Sequence, residues 1–436
     1  MFLRSLKLFI AALIAVLLAA CGGGGSAAPA PTGLKVTPGE GYATVTWDTV
    51  PGVEYWAFYA PSSIAPADST ATQKWINLAG GGWPMNVSSG YVTPLTLTIG
   101  TEYSFTVNGR IDGGPGGPGA AAVKATPRLA GGLWTAGSAV TTTMPIPALR
   151  SVAFSTFYVA AGDAGSVFTS PDTVTWTAQP SAATAAGSHN LNGASYFVNY
   201  KLVGDAGVVL TSSDAVNWTS ATTIPTSNKL NAIASNNSNL NVAVGAGGTI
   251  ITNNTGTDNG ATWIAATYSG TANLNAVAYG AYGTNGMWIA VGDSGAMVQS
   301  TDGGISWTSV SSLSALTTAS LSGISYGVSS ATLAGVFVAV AADGTIYSSA
   351  NGTTWTQPTA LTGGTALNAI TYGTQFVTVG AGGKIFTSTD GATWTLAQAT
   401  ASGVVSPLGV TDLYAVARGT LAYAAVGAAG TNLLSK

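Results

Sequence analysis

The sequence predicts an all-β protein in which a two-sheet sandwich is followed by a closed, seven-bladed β-propeller. Residues 31–128 alternate polar and apolar side chains in short segments that glycine-rich turns separate. Residues 131–436 repeat a pattern of about 40 residues, with four short strands in each copy. A fourth strand precedes the first group of three strands, and the last group lacks one. A closed ring explains that mismatch.

The first 21 residues are expected to be a signal peptide and not part of the fold. Arg4 and Lys7 give a basic start, residues 8–18 form an apolar run too short to span a bilayer, and Leu-Ala-Ala-Cys ends at Cys21. This order resembles the bacterial lipobox, which implies cleavage before Cys21 and attachment of lipid to it. Cys21 is the only cysteine, so no disulfide or free thiol is expected in the mature chain.

Residues 22–30 form a flexible tether of Gly, Ser, Ala and Pro. Gly22 stands where sorted lipoproteins carry the aspartate that retains them in the inner membrane, and this resemblance implies the outer membrane of a bacterial cell envelope. Without Arg4 and Lys7, 11 basic and 16 acidic side chains remain, a net charge of −5. We therefore expect a membrane partner through the lipid anchor, and no nucleic-acid partner because no basic patch exists.

Residues 31–128 predict the sandwich. Trp47 falls on the inward face of the second strand, and Tyr103, Phe105 and Val107 alternate along a later strand. The segment resembles a fibronectin type III domain, whose core tryptophan and corner tyrosine correspond to Trp47 and Tyr103.

Trp83 lies in the glycine-rich loop Gly-Gly-Gly-Trp-Pro. Two readings stay open for this side chain. It stacks on a sugar or a partner chain, or it folds over the sandwich as an ordinary loop residue.

The count of repeats predicts how the propeller closes. Groups of three strands begin at seven leucines, which are Leu149, Leu191, Leu230, Leu274, Leu321, Leu367 and Leu413. Fourth strands begin at seven tryptophans, which are Trp134, Trp176, Trp218, Trp263, Trp307, Trp355 and Trp394. Trp134 precedes the first group, and the last group contains no tryptophan. The strand around Trp134 is therefore expected to complete the blade that begins at Leu413.

The turn before each fourth strand repeats a hydroxyl, a carboxylate or amide, and a tryptophan. The full pattern Ser-x-Asp-x-Gly-x-x-Trp occurs at residues 300–307 and resembles the Asp-box, or BNR repeat, of sialidase-like propellers. Asp and Asn accept backbone N–H groups in tight turns, and an Asn in the fifth copy argues against a catalytic role. We predict structural turn acceptors at Asp172, Asp214, Asp302, Asn351 and Asp390.

A second set of carboxylates lies in the turns between second and third strands, at Asp163, Asp205, Asp293 and Asp343. One reading is that Asp with Gly simply favours a tight turn. The other is an acidic rim that binds a ligand, a cation or a basic partner.

Residues 131–436 offer little for catalysis. They contain no glutamate, two arginines (Arg150 and Arg418) and a single histidine, His189, in a loop. A sialidase resembling this fold needs three arginines, a tyrosine with a glutamate, and an aspartic acid. We expect no catalytic residue, no cofactor and no metal site.

These observations favour a lipid-anchored, non-catalytic recognition or scaffold protein that binds an unknown protein or glycan on the blade-connection face. The connections at 178–190 and 309–320 vary most among the repeats, and variable loops on a rigid scaffold usually carry binding. The alternative is a carbohydrate-active protein, either a lectin or an atypical glycoside hydrolase. A third possibility is an assembly factor resembling the BNR-type helper of photosystem II, whose basic patch is missing here.

Overall fold

The computed structural model describes residues 25–68, 70–74, 85–87, 91–92, 96–138, 140, 145–253, 260–281, 286–314, 316–330, 332–357, 364–399, 411–420 and 422–435. The chain separates into two compact units, Met1–Leu129 and Ala130–Lys436. Among these described residues, no helix is both long enough and apolar enough to cross a membrane.

The first unit contains two antiparallel sheets. Its strands are β1 (Ser26–Ala27), β2 (Lys35–Pro38), β3 (Ala43–Thr46), β4 (Val53–Pro61), β5 (Met85–Val87), β6 (Tyr91–Val92), β7 (Tyr103–Ile111) and β8 (Val123–Ala125). One sheet has the order β2-β3-β6, and the other has the order β1-β7-β4-β5 with β8 also paired to β7. A 3-10 turn, Thr72–Lys74, lies between β4 and β5.

Alternating apolar side chains from both sheets form the core of the first unit. The ring centroids of Trp47 and Tyr55 lie 5.7 Å apart. The Tyr103 hydroxyl accepts the backbone N–H of Thr98 at 3.2 Å, which fastens the turn before β7 to the strand itself.

The second unit begins with β9 (Leu133–Ala136) and continues with seven sheets among the described residues. The first three sheets are β10 (Leu149–Phe154), β11 (Tyr158–Gly162), β12 (Val167–Ser170) and β13 (Thr177–Ala178); β14 (Leu191–Tyr196), β15 (Tyr200–Gly204), β16 (Val209–Ser212) and β17 (Thr219–Ser220); β18 (Leu230–Ser235), β19 (Asn241–Gly245), β20 (Ile250–Asn253) and β21 (Ile264–Ala265).

The fourth to sixth sheets are β22 (Leu274–Gly280), β23 (Met287–Gly292), β24 (Met297–Ser300) and β25 (Thr308–Ser309); β26 (Leu321–Val328), β27 (Gly335–Ala341) and β28 (Ile346–Ser349); β29 (Leu367–Tyr372), β30 (Phe376–Gly380), β31 (Ile385–Ser388) and β32 (Thr395–Leu396). The seventh sheet has the order β33-β9-β36-β35-β34, with β33 (Gln398–Ala399), β34 (Leu413–Arg418), β35 (Tyr423–Gly427) and β36 (Asn432–Ser435).

The seven sheets form a closed ring. The first strand of each sheet contacts the first strand of the next, and β34 of the seventh sheet contacts β10 of the first. Strand β9 pairs antiparallel with β36, with Thr135 opposite Leu434 and Ala136 opposite Leu433. Trp134 is fully buried in this sheet. The pairing expected from the repeat phase is therefore present, and it joins the start of the unit to its end.

Small side chains let the inner strands of the ring approach one another closely. The position two residues after each first leucine is Ser, Gly or Ala: Ser151, Gly193, Ala232, Ala276, Gly323, Ala369 and Ala415. A Cβ added to Gly193 would lie 2.8 Å from the Cα of Ala232 on the next sheet. A larger residue at this position would push the sheets apart.

Connections between sheets cover the outer edge of the sheet that follows. Helix α1 (Pro180–Ala186) packs against β16 and β17, and Ser312 in helix α2 (Ser311–Ser314) donates its hydroxyl to the Thr353 carbonyl at 2.5 Å. Ala182 and Leu313 are fully buried in these helices. The segments predicted as variable binding loops thus also pack between the two sheets that they join.

Candidate functional site

The ring has two chemically different ends. At the end called here the connection end, each first strand begins and each second strand turns into the third; Leu149 pairs with Gly162 there. At the opposite end, called the box end, each first strand turns into the second and the Asp-box-like turns lead into the fourth strands; Tyr158 pairs with Ser170 there.

Six turns at the connection end share one backbone conformation. They are the 3-10 turns Asp163–Gly165, Asp205–Gly207, Ala246–Gly248, Asp293–Gly295, Ala381–Gly383 and Ala428–Gly430. The central residue is left-handed in each, with φ of 53° at Ala164, and the glycine that follows also has positive φ. A Cβ on Gly207 would lie 2.3 Å from the Thr226 carbonyl oxygen. Glycine is required there both by φ and by space.

A circumferential set of side chains joins neighbouring sheets at the connection end. The residue after the first leucine donates a hydrogen bond to the carbonyl of the first leucine in the next sheet. These donors, called the polar girdle, are Asn192 to Leu230 at 3.0 Å, Asn231 to Leu274 at 2.9 Å, Asn275 to Leu321 at 3.1 Å, Ser322 to Leu367, and Asn368 to Leu413 at 2.8 Å. The girdle positions of the first and seventh sheets hold Arg150 and Tyr414 instead.

Asp205 is held by two amides. Its carboxylate accepts the Asn192 side-chain amide at 2.9 Å and the Asn190 amide at 3.0 Å, one on each oxygen. Asn190 also accepts the backbone N–H of Ala164, in the turn of the preceding sheet, at 2.9 Å. The predicted rim residue is therefore part of a hydrogen-bonded network that spans two sheets.

Asp293 repeats this arrangement. Its two oxygens accept the side-chain amides of Asn275 and Asn273, each at 2.9 Å, and Ser320 donates to it at 3.2 Å. The hydrogen bond from Asn275, followed by that from Asn273, holds the pKa of Asp293 below its ordinary value. This carboxylate is ionised at neutral pH.

Asp163 and Asp343 have different surroundings. The Asp163 carboxylate accepts the Arg150 Nε at 2.6 Å and the backbone N–H of Ala148 at 3.2 Å. Asp343 is exposed and accepts the backbone N–H of Thr345 within its own turn, at 2.9 Å. The four predicted rim carboxylates thus lie at one end of the ring, each on its own sheet and with its own partners.

The described residues do not gather metal ligands. Nowhere within them do three His, Cys, Asp or Glu side chains lie close enough to hold a metal ion. His189, the single histidine, is exposed in the connection after α1. The carboxylates described at the connection end are each bound by neighbouring amide, guanidinium, hydroxyl or backbone donors.

At the box end, Asp214 illustrates the repeated turn. Its Oδ1 accepts the backbone N–H groups of Val216 at 2.9 Å and Asn217 at 2.8 Å, and Ser212 donates its hydroxyl to the same atom at 3.0 Å. The Trp218 indole N–H donates to the Ala215 carbonyl at 3.1 Å. The backbone N–H of Asn217, followed by its side-chain amide, lowers the pKa of Asp214.

The other box turns repeat these contacts. Asn351 accepts the N–H groups of Thr353 and Thr354 through its side-chain oxygen at 2.9 and 2.8 Å, as a carboxylate does elsewhere. Burial raises the pKa of Asp302, but hydrogen bonds from Ser306 and further donors lower it to about 2. Equivalent backbone hydrogen bonds reach Asp172 from Val174 and Thr175 and reach Asp390 from Ala392 and Thr393.

A shallow groove of about 590 Å³ also opens at the box end, between the fifth and sixth sheets. Hydroxyl and small apolar side chains line it, together with Asn351 and Asp390 of two box turns. Both of these turn acceptors are engaged by their own backbone, so the groove carries no uncommitted charged group among its lining residues.

Two predicted residues, the lipidation site Cys21 and the stacking candidate Trp83, lie outside the described residues. The polar girdle, in contrast, has no counterpart among the sequence predictions. A signal for it exists, because Leu-Asn begins the repeats at residues 191, 230, 274 and 367. Within its own strand each asparagine is an ordinary polar position of an alternating pattern, and its hydrogen-bond partner lies on the next sheet.

No family model and no curated protein matches the sequence. Solved structures do match. The chain is similar to YCF48 bound to D1 peptide (TM-score 0.52, 16% identity, 69% of this chain and 94% of that one). It is also similar to the WD40 β-propeller domain of Doa1 (TM-score 0.52, 10% identity, 70% of this chain and 96% of that one). Another similar structure is catalytically inactive virginiamycin B lyase from Staphylococcus aureus with quinupristin (TM-score 0.55, 10% identity, 70% of this chain and 99% of that one). At these identities the likeness establishes the fold, which is a β-propeller.

Proposed function

We propose that this chain is a non-catalytic recognition or scaffold protein of the bacterial cell envelope. Lipid on Cys21 anchors it, residues 22–30 act as a tether, and residues 31–128 form a fibronectin type III-like spacer. Residues 131–436 form a seven-bladed propeller that binds a protein or a glycan at its connection end.

Several observations support this architecture. The ring of seven sheets, with β9 in the seventh, supports seven blades. The hydrogen bond between Tyr103 and Thr98 matches the tyrosine corner of fibronectin type III domains. The basic start, short apolar run and Leu-Ala-Ala-Cys order support lipidation and, with Gly22, the outer membrane.

The main observation behind the proposed function is the polar girdle, together with the carboxylates of Asp205 and Asp293 that asparagine amides hold in place. Asp205 and Asp293 are each fixed by two asparagine amides, so their oxygens and the adjoining amides keep defined positions before a ligand arrives. Such preorganised hydrogen-bonding groups suit the amides of a peptide or the hydroxyls of a sugar.

The same contacts argue against acid catalysis. A general acid needs a raised pKa so that it keeps a proton near neutral pH. The amides of Asn275 and Asn273 lower the pKa of Asp293 instead. The similarity to YCF48 bound to D1 peptide supports a peptide as ligand, because YCF48 is a protein of similar fold that binds a peptide.

The test is site-specific photo-crosslinking of the full chain in its own envelope. A photoreactive residue at the exposed position Asp343 samples the connection end, and one at exposed Ile264, on an outer strand, is the matched control. We expect discrete adducts from position 343 only, and membrane attachment that Cys21→Ser abolishes. Equal adducts from both positions would contradict binding at the connection end.

A glycan array and a hydrolysis assay complete the test. Binding without turnover supports recognition of glycans, and binding of protein alone in the crosslinking experiment supports a scaffold. Turnover of any glycan or ester that Asp205→Asn abolishes would contradict the proposal and favour the carbohydrate-active alternative.

A further inference from the structure

Apolar side chains are exposed at the box end of the first two sheets. They are Phe157, Val174, Phe197, Val198 and Val216, and between 36% and 52% of each residue is accessible. We call these five the apolar strip. Phe157, Phe197 and Val198 lie in the turns between first and second strands, and the two valines 174 and 216 lie in box turns, at the same end of the ring.

Hydrogen bonds of one tyrosine join the two neighbouring sheets at the turns of the strip. The Tyr200 hydroxyl, two residues after Val198, accepts the N–H of Phe157 at 3.2 Å and donates to its carbonyl at 2.8 Å. The two turns that carry the phenylalanines are therefore tied together. This link brings Phe157 and Phe197 to the same end of two neighbouring sheets, and grouped exposed apolar side chains mark an interaction site.

Two fixed negative charges border the strip. The N–H groups of Val174 and Val216 donate to Asp172 and Asp214, each at 2.9 Å. Backbone hydrogen bonds, chiefly from Thr175 to Asp172 and from Asn217 to Asp214, lower the pKa of both carboxyls. Both side chains are negatively charged at neutral pH.

No lysine or arginine of these two sheets is exposed at the box end. Residues 149–220, all of them described, contain Arg150, which lies at the connection end, and Lys201, whose ammonium bonds to Asn199 at the box end but is fully buried. On the neighbouring seventh sheet, the Arg418 guanidinium lies over the Tyr423 ring, 4.8 Å from its centroid. The exposed charges of these two sheets at the box end are therefore the carboxylates of Asp172 and Asp214.

We propose that the apolar strip is a docking surface for a protein segment whose apolar side chains are flanked by lysine or arginine. Apolar contacts with Phe157 and Phe197 supply the affinity, and the basic flanks face Asp172 and Asp214. This site lies at the opposite end of the propeller from the proposed recognition site, so one ring can hold two partners at once.

The charge pattern favours this partner over an anionic membrane and over a second copy of the chain. An anionic membrane would meet the two carboxylates and be repelled. In a symmetric dimer through the strip, the same carboxylates would face their own copies, and like charges across an interface disfavour it.

The probe is a displayed library of random peptides of about 12 residues, selected on the immobilised full chain. The selected sequences are then made as soluble peptides, and their dissociation constants are measured by fluorescence anisotropy at two salt concentrations. We expect peptides with apolar residues flanked by Lys or Arg, whose affinity falls about tenfold or more in the double variant Phe157→Ser/Phe197→Ser.

Two further variants separate packing from charge. Ile305→Ser removes a side chain of similar exposure in a box turn of the fourth sheet, and it should leave binding unchanged. Asp172→Asn/Asp214→Asn keeps the turns, as Asn351 does, but should weaken binding and flatten its salt dependence. Unfolding temperatures of all variants are measured in parallel, so that a folding defect is recognised.

Three results would overturn the proposal. The first is a selected set whose binding the double phenylalanine variant does not change. The second is binding of the wild-type chain to phosphatidylglycerol vesicles that this variant abolishes. The third is dimerisation at micromolar concentration that the same variant abolishes.

Discussion

Ser435 and Leu133 are 302 positions apart in the chain but hydrogen-bonded in the structure, with the Ser435 hydroxyl donating to the Leu133 carbonyl at 2.5 Å. The same hydroxyl accepts the Gly131 N–H at 2.7 Å. One side chain near the end of the sequence thus fixes both the strand that opens the second unit and the residue that leads into it. Closure by β9 pairs an edge that β36 would otherwise expose.

The box turns predict that an amide can replace the carboxylate. Asp390→Asn should change the free energy of unfolding by no more than about 0.5 kcal/mol, because Asn351 already accepts the same two backbone N–H groups. Asp390→Ala removes the acceptor for Ala392 and Thr393 and should cost about 1–2 kcal/mol. Urea denaturation of the two variants measures the difference; equal losses would contradict a turn role.

The lowered pKa values of the box carboxyls predict acid sensitivity. Each is lower in the folded than in the unfolded chain, so its stabilisation is complete above about pH 4 and is lost as the pH falls through the folded pKa. For Asp302 that pKa is about 2. Denaturation between about pH 5 and pH 2 should show a falling free energy of unfolding, and Asp302→Asn should make the fall smaller. An unchanged slope would show that Asp302 does not contribute.

The polar girdle predicts a graded effect of removing its amides. Asn275 donates to both the Leu321 carbonyl and Asp293, whereas Asn368 donates to the Leu413 carbonyl. Asn275→Ala should therefore destabilise the chain by about 1–3 kcal/mol, more than Asn368→Ala, and raise the pKa of Asp293. Chemical denaturation and NMR titration of the Asp293 carboxyl check the two effects. Equal losses of stability in the two variants, with an unchanged pKa of Asp293, would contradict this hydrogen-bonded network.

Much of the second unit could be read from the sequence, because its signals are local and repeated. The group that begins at Leu413 lacks a tryptophan, and this indicated that the strand around Trp134 completes its sheet. The repeated order of a hydroxyl, a carboxylate or amide, and a tryptophan indicated the box turns. The connections between sheets were harder to predict. Residues 180–186 read as a Ser- and Ala-rich loop, yet they form α1, which starts at Pro180 and ends at left-handed Gly187.

The girdle could not be read in the same way, since it depends on contacts between sheets. Asn192 and the Leu230 carbonyl are 38 residues apart, and nothing in either local pattern identifies the other. The same holds for Gly193. A Cβ at this position would lie 2.8 Å from the Cα of Ala232 on the next sheet, and only the folded structure shows that this space is missing. The apolar strip likewise becomes visible only when two turns of neighbouring sheets are brought together.

The most direct test of ring closure is an engineered disulfide between Ala136 and Leu433, which lie opposite each other on β9 and β36. Opposite residues of antiparallel strands have Cα atoms about 4.5–5.5 Å apart, within the range that a disulfide needs. In a Cys21→Ser background, Ala136→Cys/Leu433→Cys should oxidise completely, with no free thiol by titration and a two-hydrogen mass loss. Ala136→Cys/Ile264→Cys, with its second cysteine on the third sheet, should keep two free thiols. If the first pair also stays reduced under the same oxidant, the closed ring is wrong.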